Sequence, residues 1–339
     1  MKNGKMRALK YIYKLLALSL TVAACSSDTD NLKPDEDGEG VPLRILAGIN
    51  VQAESLTRAS ETSWAENDQI GVYVTENNST TIFTDMNGKA LKNLKFTFND
   101  GSNYETFVNS HHTYRLFTSG EDKVFLSADP VTVYGYYPYV NDLDMDPTAM
   151  PIDVGDQTSQ EAIDFMWVKK GNVNNGTAAI ELLFMHRLVK LVFNLKQGEG
   201  LLPNELNDAT YLGMRLLGQK YLATYNIYKA EAENPFTVEL ASTKDITPKR
   251  MPSAPTGYVR TFEAIVLPNI VGNSATVTNN PAIDRTVEIT FYRRTDDQIV
   301  NRFTIPAGTA LKAGYKYTFN VTVNATTITV DPLKFAEQW

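Results

Sequence analysis

The sequence predicts an all-β protein made of antiparallel β-sandwiches with little helix. Short runs of β-branched and aromatic residues recur along the 339 residues, and turn-rich segments separate them. Repeated short strands at this spacing are typical of β-sandwiches, and few stretches have a helical period. One or two helical turns are predicted around Asp156–Ala162. The clearest predicted strands are Ile70–Thr75, Leu94–Phe98, Val131–Tyr139, Leu188–Leu195, Phe262–Leu267, Val287–Tyr292 and Tyr315–Val323.

Residues 1–24 are predicted to be a lipoprotein signal peptide. Five basic residues precede the apolar run Leu15–Ala24, which is shorter than the roughly 20 residues needed to span a bilayer. The run ends at Cys25, the only cysteine in the chain, and the small residues before it resemble the bacterial lipobox. That resemblance implies cleavage before Cys25 and acylation of its thiol and new amine. An ordinary secretory signal with an incidental cysteine is the alternative.

Residues 25–40 are predicted to form a disordered acidic tether. Ser26–Gly40 contains six carboxylates, one lysine and almost no apolar side chain, so it buries too little surface to offset the entropy of ordering. An acidic segment after a lipidated cysteine resembles the surface-export signal of Bacteroidota lipoproteins; a spacer facing the periplasm is the alternative. Because five of the 32 basic residues precede Cys25, the mature chain has 27 basic and 39 acidic residues. Its net charge of −12 argues against nucleic acid or anionic lipid as a partner.

The segment after the tether alternates between apolar and polar residues, which predicts a half-buried first strand. Leu46 is the single exception, so a strand in place should leave it facing outward or under a loop. A short polar segment containing Arg58 follows at once and has the character of a protease site. The inward-facing side chains of this strand are Val41, Leu43, Ile45, Ala47, Ile49 and Val51.

Gly171–Thr177 is the clearest turn cluster near the middle of the chain, and Asn175-Gly176 is a strong hairpin dipeptide. We place a domain boundary directly after it, between an N-terminal domain of residues 59–178 and a C-terminal domain of residues 179–339. A hairpin inside one sheet would have the same pattern. The roughly 300 residues after the tether suffice for two domains with separate cores.

The last part of the sequence, residues 325–339, is a possible donor tail. Tyr315–Val323 alternates strictly, but after Asn324 the apolar positions change phase and continue at Ile328, Val330 and Leu333. Two interpretations stay open. The tail either pairs with another subunit by strand addition or folds back as a hairpin on its own domain.

The residues give no indication of catalysis, and neither an enzyme activity nor a cofactor is predicted. The three histidines are His111, His112 and His186. His111 and His112 are adjacent, so on a strand they point to opposite faces and do not share a metal ion. His186 precedes Arg187 at the start of an apolar strand, where a hydrogen-bonded structural histidine is far more common than a catalytic one.

Asp142, Asp144 and Asp146 match the opening of a calcium-binding loop. However, Pro147 occupies the sixth position, where such a loop needs glycine, and the bidentate glutamate at the end is missing. The three aspartates are therefore weak metal candidates, and a solvated acidic loop is the favoured interpretation.

Four tyrosines in one predicted strand invite comparison with a carbohydrate-binding platform. Tyr137 and Tyr139 fall on one face of the strand, and Tyr134 and Tyr136 fall on the other. Both faces are thus filled with large side chains, which favours core packing over a ligand surface.

Taken together, these segments make the chain resemble the fimbrillin family, the subunits of type V pili in Bacteroidota. The likeness depends on five short motifs in order: a tryptophan before an acidic turn and an I-G-V-Y strand, a tyrosine-proline strand, an aspartate-led segment, an F-x-H-x-L-x-K motif and a late A-G-x-x-Y strand. In this sequence they are Trp64–Tyr73, Val133–Tyr139, Ile163–Trp167, Phe184–Leu191 and Leu311–Phe319.

The resemblance implies two transthyretin-like β-sandwich domains in tandem and a route of assembly. The precursor is lipidated and carried to the outer membrane, and a trypsin-like protease then cuts after an arginine. Arg58, followed by Ala59, matches that cleavage site, which makes residues 41–58 a removable first strand. The groove left by this strand accepts a strand from another fimbrial subunit. Arg44 is the competing site, but it lies within the alternating strand.

The predicted function is therefore a stalk or anchor subunit of a type V fimbria, on the cell surface and involved in adhesion. A permanently lipidated surface glycan-binding protein that does not polymerise is the alternative. A glycoside hydrolase would need paired carboxylates converging in a cleft, for which small tandem sandwiches offer no obvious site.

Overall fold

The computed structural model describes residues 42–50, 63–99, 106–109, 112–120, 123–177, 179–202, 204–207, 212–229, 234–269, 285–293, 297–306, 309–333 and 336–339. All of them fall within one compact unit, Gly40–Trp339. The predicted sites at Cys25, Arg58 and Ala59 lie outside the described residues, as do Val41 and Val51 of the first strand and His111.

The first half of the described chain is almost entirely β-strand, because its alternating apolar residues bury one or both faces of each strand. Its one helix is a single turn. The elements are β1 (Ile45–Ile49), β2 (Gln69–Glu76), β3 (Leu94–Phe98), β4 (Thr106–Asn109), β5 (His112–Thr118), β6 (Val131–Tyr137), β7 (Met150–Asp153), α1 (Gln160–Ile163), β8 (Met166–Val173) and β9 (Ile180–His186).

The second half of the described chain contains strands only. They are β10 (Val189–Gln197), β11 (Gly213–Gln219), β12 (Leu222–Tyr225), β13 (Phe236–Val238), β14 (Lys244–Ile246), β15 (Lys249–Arg250), β16 (Arg260–Val266), β17 (Arg285–Arg293), β18 (Asp297–Ile305), β19 (Tyr315–Val323), β20 (Ile328–Val330) and β21 (Ala336–Gln338).

The N-terminal strands form one sheet that closes on itself. Its order is β1-β9-β8-β6-β2-β3-β5-β4, and β1 also pairs with β5, so the sheet becomes a ring with β4 attached outside it. The ring encloses the first hydrophobic cluster, which includes Ile70, Phe96, Phe117 and Phe184. Closure satisfies the backbone groups of the strands that would otherwise form open edges.

The C-terminal strands form a sandwich. One sheet has the order β15-β16-β10-β19-β20, with β21 also paired to β19, and the other has the order β14-β11-β17-β18. Phe193 of the first sheet and Phe303 of the second meet edge to face at 6.2 Å between ring centroids. These two sheets enclose most of the second hydrophobic cluster.

Strands from the N-terminal half also bury side chains in the second cluster. β7 pairs with β12 in a three-stranded sheet with β13. In β6, Val133 and Tyr137 belong to the first cluster, whereas Tyr134 and Tyr136 belong to the second. The strand therefore separates two cores, and the prediction that both of its faces serve packing is confirmed. The prediction that Tyr139 shares the face of Tyr137 is wrong: Tyr139 lies beyond the end of β6 and packs against the second cluster.

The predicted all-β class is confirmed, and every strand named from the sequence corresponds to an observed one within a few residues. The predicted helical turn is α1. Two pairings, β1 with β9 and β10 with β19, are parallel rather than antiparallel. β9 begins just beyond residue 178 and pairs with β1 and β8 of the first sheet. The domain division at that residue and the transthyretin-like detail stay predictions.

Gly71 in β2 is needed because a tyrosine ring occupies the space of its missing side chain. A Cβ atom there would lie 2.0 Å from Cε1 of Tyr136, whose buried hydroxyl donates a 2.6 Å hydrogen bond to Asn93. We expect Gly71→Ala to lower the free energy of unfolding by about 1–3 kcal/mol, because the ring must shift within a packed core. Urea unfolding measures this, with Gly213→Ala as the control, since no described neighbour lies within 4 Å of a Cβ there. Equal unfolding midpoints for the two variants would contradict the expectation.

Candidate functional site

β1 lies between two strands that come from distant parts of the chain. It pairs antiparallel with β5, from Ile45 opposite Phe117 to Gly48 opposite Tyr114. On its other edge it pairs parallel with β9, from Ile45 opposite Ile180 to Ile49 opposite Phe184. β1 therefore closes the ring, and its loss would expose the edges of both neighbours.

The apolar face of β1 fills the first hydrophobic cluster. Leu43, Ile45, Ala47 and Ile49 are all buried and belong to that cluster, so the described part of the predicted inward face does point inward. Burial of the three large side chains, Leu43, Ile45 and Ile49, contributes roughly 5–9 kcal/mol of gross hydrophobic stabilisation. Leu46 lies on the opposite face and is not a member of the cluster, although it is also buried. The register agrees with the alternation in the sequence.

Trp64 packs beside β1 and is hydrogen-bonded to it. Its Nε1 donates a buried 2.8 Å hydrogen bond to the carbonyl oxygen of Ala47. Its ring meets Phe117, Tyr137 and Phe184 edge to face, with centroids 5.1, 5.4 and 5.4 Å away. Trp64 thus contacts β1 and strands on both sides of it.

The acidic turn after Trp64 fixes the position of that ring. The Asp68 carboxylate accepts a 2.7 Å hydrogen bond from the backbone N–H of Ala65 and a 3.2 Å bond from the hydroxyl of Tyr137. Partial burial raises the pKa of Asp68, and these two hydrogen bonds act in the opposite direction. Burial, together with the neighbouring Asp68, raises the pKa of Tyr137, so its hydroxyl stays a donor at neutral pH.

The predicted cleavage position belongs to the segment that joins β1 to Trp64. The described chain stops at Asn50, directly after β1, and resumes at the exposed Ser63, one residue before Trp64. Arg58 and Ala59 lie between these points. The competing Arg44 is half-buried beside β1, and its carbonyl oxygen accepts a 2.9 Å hydrogen bond from Ile180 N–H.

The predicted donor tail lies on β19. β20 pairs antiparallel with one end of β19, from Val321 opposite Val330 to Val323 opposite Ile328. β21 pairs with the other end. Ile328, Val330 and Leu333 are half-buried against the second cluster. The tail thus covers the edge of β19 that faces away from β10.

The remaining candidate residues have local roles. The carboxylates of Asp142 and Asp146 accept hydrogen bonds from the backbone N–H groups of Asp144 and Thr148, which close tight turns. In the part of the chain that the structure describes, no three His, Cys, Asp or Glu side chains come close enough to hold a metal ion. His186 is buried, and its Nδ1 lies 2.9 Å from Oδ1 of Asp164.

Among the residues described above, no helix has the length and hydrophobicity needed to cross a membrane.

Sequence reasoning did not identify Trp64 as a contact of the first strand. The feature of the sequence that could have indicated this contact is the position of Trp64 as the first aromatic residue after Arg58. It also did not relate Trp339 to His186, whose rings stack with centroids 4.2 Å apart. That contact has no local signal, because the two residues are far apart in the sequence.

A protein family and a curated relative match the chain over most of its length. A family model described as fimbrillin-like matches residues 57–334. A candidate fimbrium subunit, Fim1C of Bacteroides uniformis, is 29% identical over 254 residues, which cover 71% of each chain.

Two solved structures share this fold. A candidate cell adhesion protein from Bacteroides uniformis matches with a TM-score of 0.61 and 22% identity, over 90% of this chain and all of the other. A second one, from Bacteroides ovatus, matches with a TM-score of 0.59 and 17% identity, over 89% and 98% of the two chains. At these identities the two structures support the fold alone. The family match covers well over half of the sequence, and the chain therefore belongs to the fimbrillin-like family.

Proposed function

We propose that this protein is a structural subunit of a type V fimbria, in the stalk or the anchor, and that it contributes to adhesion rather than catalysis. It is exported as a lipoprotein precursor, acylated at Cys25, carried to the outer membrane and exposed at the cell surface. Cleavage after Arg58 then releases the first strand, and the subunit polymerises by donor-strand exchange with the same or related chains.

The position of β1 is the observation that supports this proposal most. β1 closes the ring between β5 and β9, and its apolar face fills the first cluster. Yet it is connected to the rest of the fold only through the segment that contains Arg58. One cut there makes β1 a separate piece, held by non-covalent contacts alone. The groove that it leaves has bare edges and apolar walls, so it requires another strand.

The tail is the proposed donor. Ile328, Val330 and Leu333 are only half-buried, and β20 and β21 pair with β19 over three residues each. Such short pairings on the outside of a sheet are easier to open than a central strand. After release, residues 325–339 enter the β1 groove of the next subunit.

Arg58→Ala is expected to keep the first strand attached and to stop fibre assembly. The measurement is mass spectrometry of the N-terminus in sheared surface fibres and in membrane fractions. The native chain should begin at Ala59 in fibres, and the variant should keep acylated Cys25 and remain in the membrane.

Arg44→Ala is the matched control, because it removes the competing arginine within the strand region and should still be cut after Arg58. If the native chain carries acylated Cys25 in every fraction and forms no fibres, the strand-exchange proposal fails. That outcome favours a permanently lipidated surface-binding protein.

A further inference from the structure

Trp339, at the end of the tail, is held in a socket formed by His186, Lys190 and Gly314. Its ring stacks on the His186 ring, with centroids 4.2 Å apart and planes inclined by 10°. The Lys190 ammonium lies 5.2 Å from the centre of the Trp339 ring, a cation–π contact. The backbone N–H of Trp339 donates a 2.8 Å hydrogen bond to the carbonyl oxygen of Gly314. With 5% of its surface exposed, Trp339 is the most deeply buried side chain of the described tail.

Each wall of the socket is fixed by its own contacts. Asp164 holds the His186 ring at 2.9 Å, and Glu263 holds Lys190 at 3.1 Å. Gly314 has a φ of +77°, and a Cβ atom there would lie 2.8 Å from the carbonyl oxygen of His186. Only glycine adopts this conformation at such close approach without strain. Apart from Glu263, the residues that form or support the socket thus come from three of the sequence motifs, Ile163–Trp167, Phe184–Leu191 and Leu311–Phe319.

The socket is also connected to β1. His186 ends β9 and lies on the same buried face as Phe184, Leu182 and Ile180. β9 pairs with β1 over five residues, Ile180–Phe184, and with β8 over its last two, Met185 and His186. The backbone N–H of Asn50 adds a 2.8 Å hydrogen bond to the carbonyl oxygen of Phe184. Most of β9 therefore depends on β1 for its edge pairing.

A crevice of about 300 Å³ lies between the end of β1 and the tail. Ile49 and Trp64 line it on one side, and His186, Lys190 and Trp339 line it on the other. The two segments that move in strand exchange thus approach each other here.

We propose that the Trp339 socket couples the tail to β1. While β1 is in place, β9 presents His186 in the orientation that retains Trp339, and the tail stays on β19. Removal of β1 leaves Ile180–Phe184 without an edge partner, so His186 then ends an unsupported strand and is held only by the two-residue pairing with β8 and by Asp164. This weaker hold on His186 frees the tail. A subunit would then donate its tail only after it has lost its first strand. This coupling deepens the function proposed above and rests on it.

The first test weakens β1 in the uncleaved chain and follows the tail by hydrogen exchange with mass spectrometry. Ile45→Ala in β1 and Ile70→Ala in β2 form a matched pair, because both side chains are fully buried in the same cluster. Ile45→Ala should accelerate exchange of the β20 and β21 amides by at least about fivefold, the lower end for coupled sites. Ile70→Ala should leave them within about twofold, and protected β17 amides show that neither variant unfolds globally.

The second test weakens the hold on the tail and follows hydrogen exchange in β1, because coupling between two sites is reciprocal. Trp339→Ala should accelerate exchange of both the tail and the β1 amides. Leu333→Ala weakens the tail outside the socket and should leave β1 unchanged. If Ile45→Ala does not fold, this second test decides alone.

Equal effects of Ile45→Ala and Ile70→Ala on the tail, or normal protection of β1 in Trp339→Ala, would overturn the coupling. Both results come from uncleaved protein and do not require fibres. They are therefore independent of the Arg58→Ala experiment. Absence of fibres would reject strand exchange and leave the measured coupling in place, whereas absence of coupling would leave strand exchange intact.

Discussion

Trp64→Ala is expected to lower the free energy of unfolding by about 3–5 kcal/mol, the usual cost of deleting a buried tryptophan. Its ring touches Phe117, Tyr137 and Phe184, and its Nε1 donates to the Ala47 carbonyl oxygen. Deletion of the ring leaves a cavity beside β1 and removes the side-chain bond that holds this strand. Chemical denaturation followed by far-ultraviolet circular dichroism measures the change without depending on tryptophan fluorescence.

Trp64→Phe separates the two contributions of this side chain. The phenyl ring keeps most of the aromatic packing but lacks the indole N–H that donates to the Ala47 carbonyl oxygen, and loss of this hydrogen bond is expected to cost about 0.5–1.5 kcal/mol. Leu143→Ala is the control, because Leu143 is 65% exposed and its loss should change stability by less than about 0.5 kcal/mol. A Trp64→Ala variant as stable as this control would show that Trp64 does not hold β1.

Lys190→Met is expected to destabilise the fold by about 3–5 kcal/mol, because it leaves a buried carboxylate without its ammonium partner. Lys190 Nζ lies 3.1 Å from Oε2 of Glu263, and both side chains are at least 95% buried. The urea unfolding midpoint at pH 7 measures the loss. The same substitution also removes the cation above the Trp339 ring.

The double variant Lys190→Met/Glu263→Leu is expected to recover most of that stability, because replacement of both charges by apolar groups removes the uncompensated charge. Lys92→Met is the control, since Lys92 and Asp144 form an exposed pair 3.9 Å apart that should contribute less than about 1 kcal/mol. A double variant no more stable than Lys190→Met alone would contradict this account of the pair.

The alternation of side chains was sufficient to predict the strands and the faces that they bury. Val133 and Tyr134 point into different cores as expected from a period of two, and Leu46 lies off the core face for the same reason. The motifs were visible as well, and the family to which they point is confirmed. These features are local, because a strand needs only its own residues to specify its two faces.

The partners of each strand could not be predicted in this way. β1 and β9 pair in parallel although about 130 residues separate them along the chain. β9 also belongs to the first sheet although it begins after the predicted domain boundary at residue 178. Parallel pairing requires a long crossover, so no short-range pattern indicates it.

The sequence by itself determined the all-β class, the inward face of the first strand and the location of Arg58 in the segment that follows this strand. Only the tertiary structure decided that β1 closes a ring between β5 and β9, and that Trp339 rests on His186 near the end of β1. The physical reason is that periodicity specifies which side of a strand is apolar, whereas its neighbours follow from the packing of residues distant in sequence.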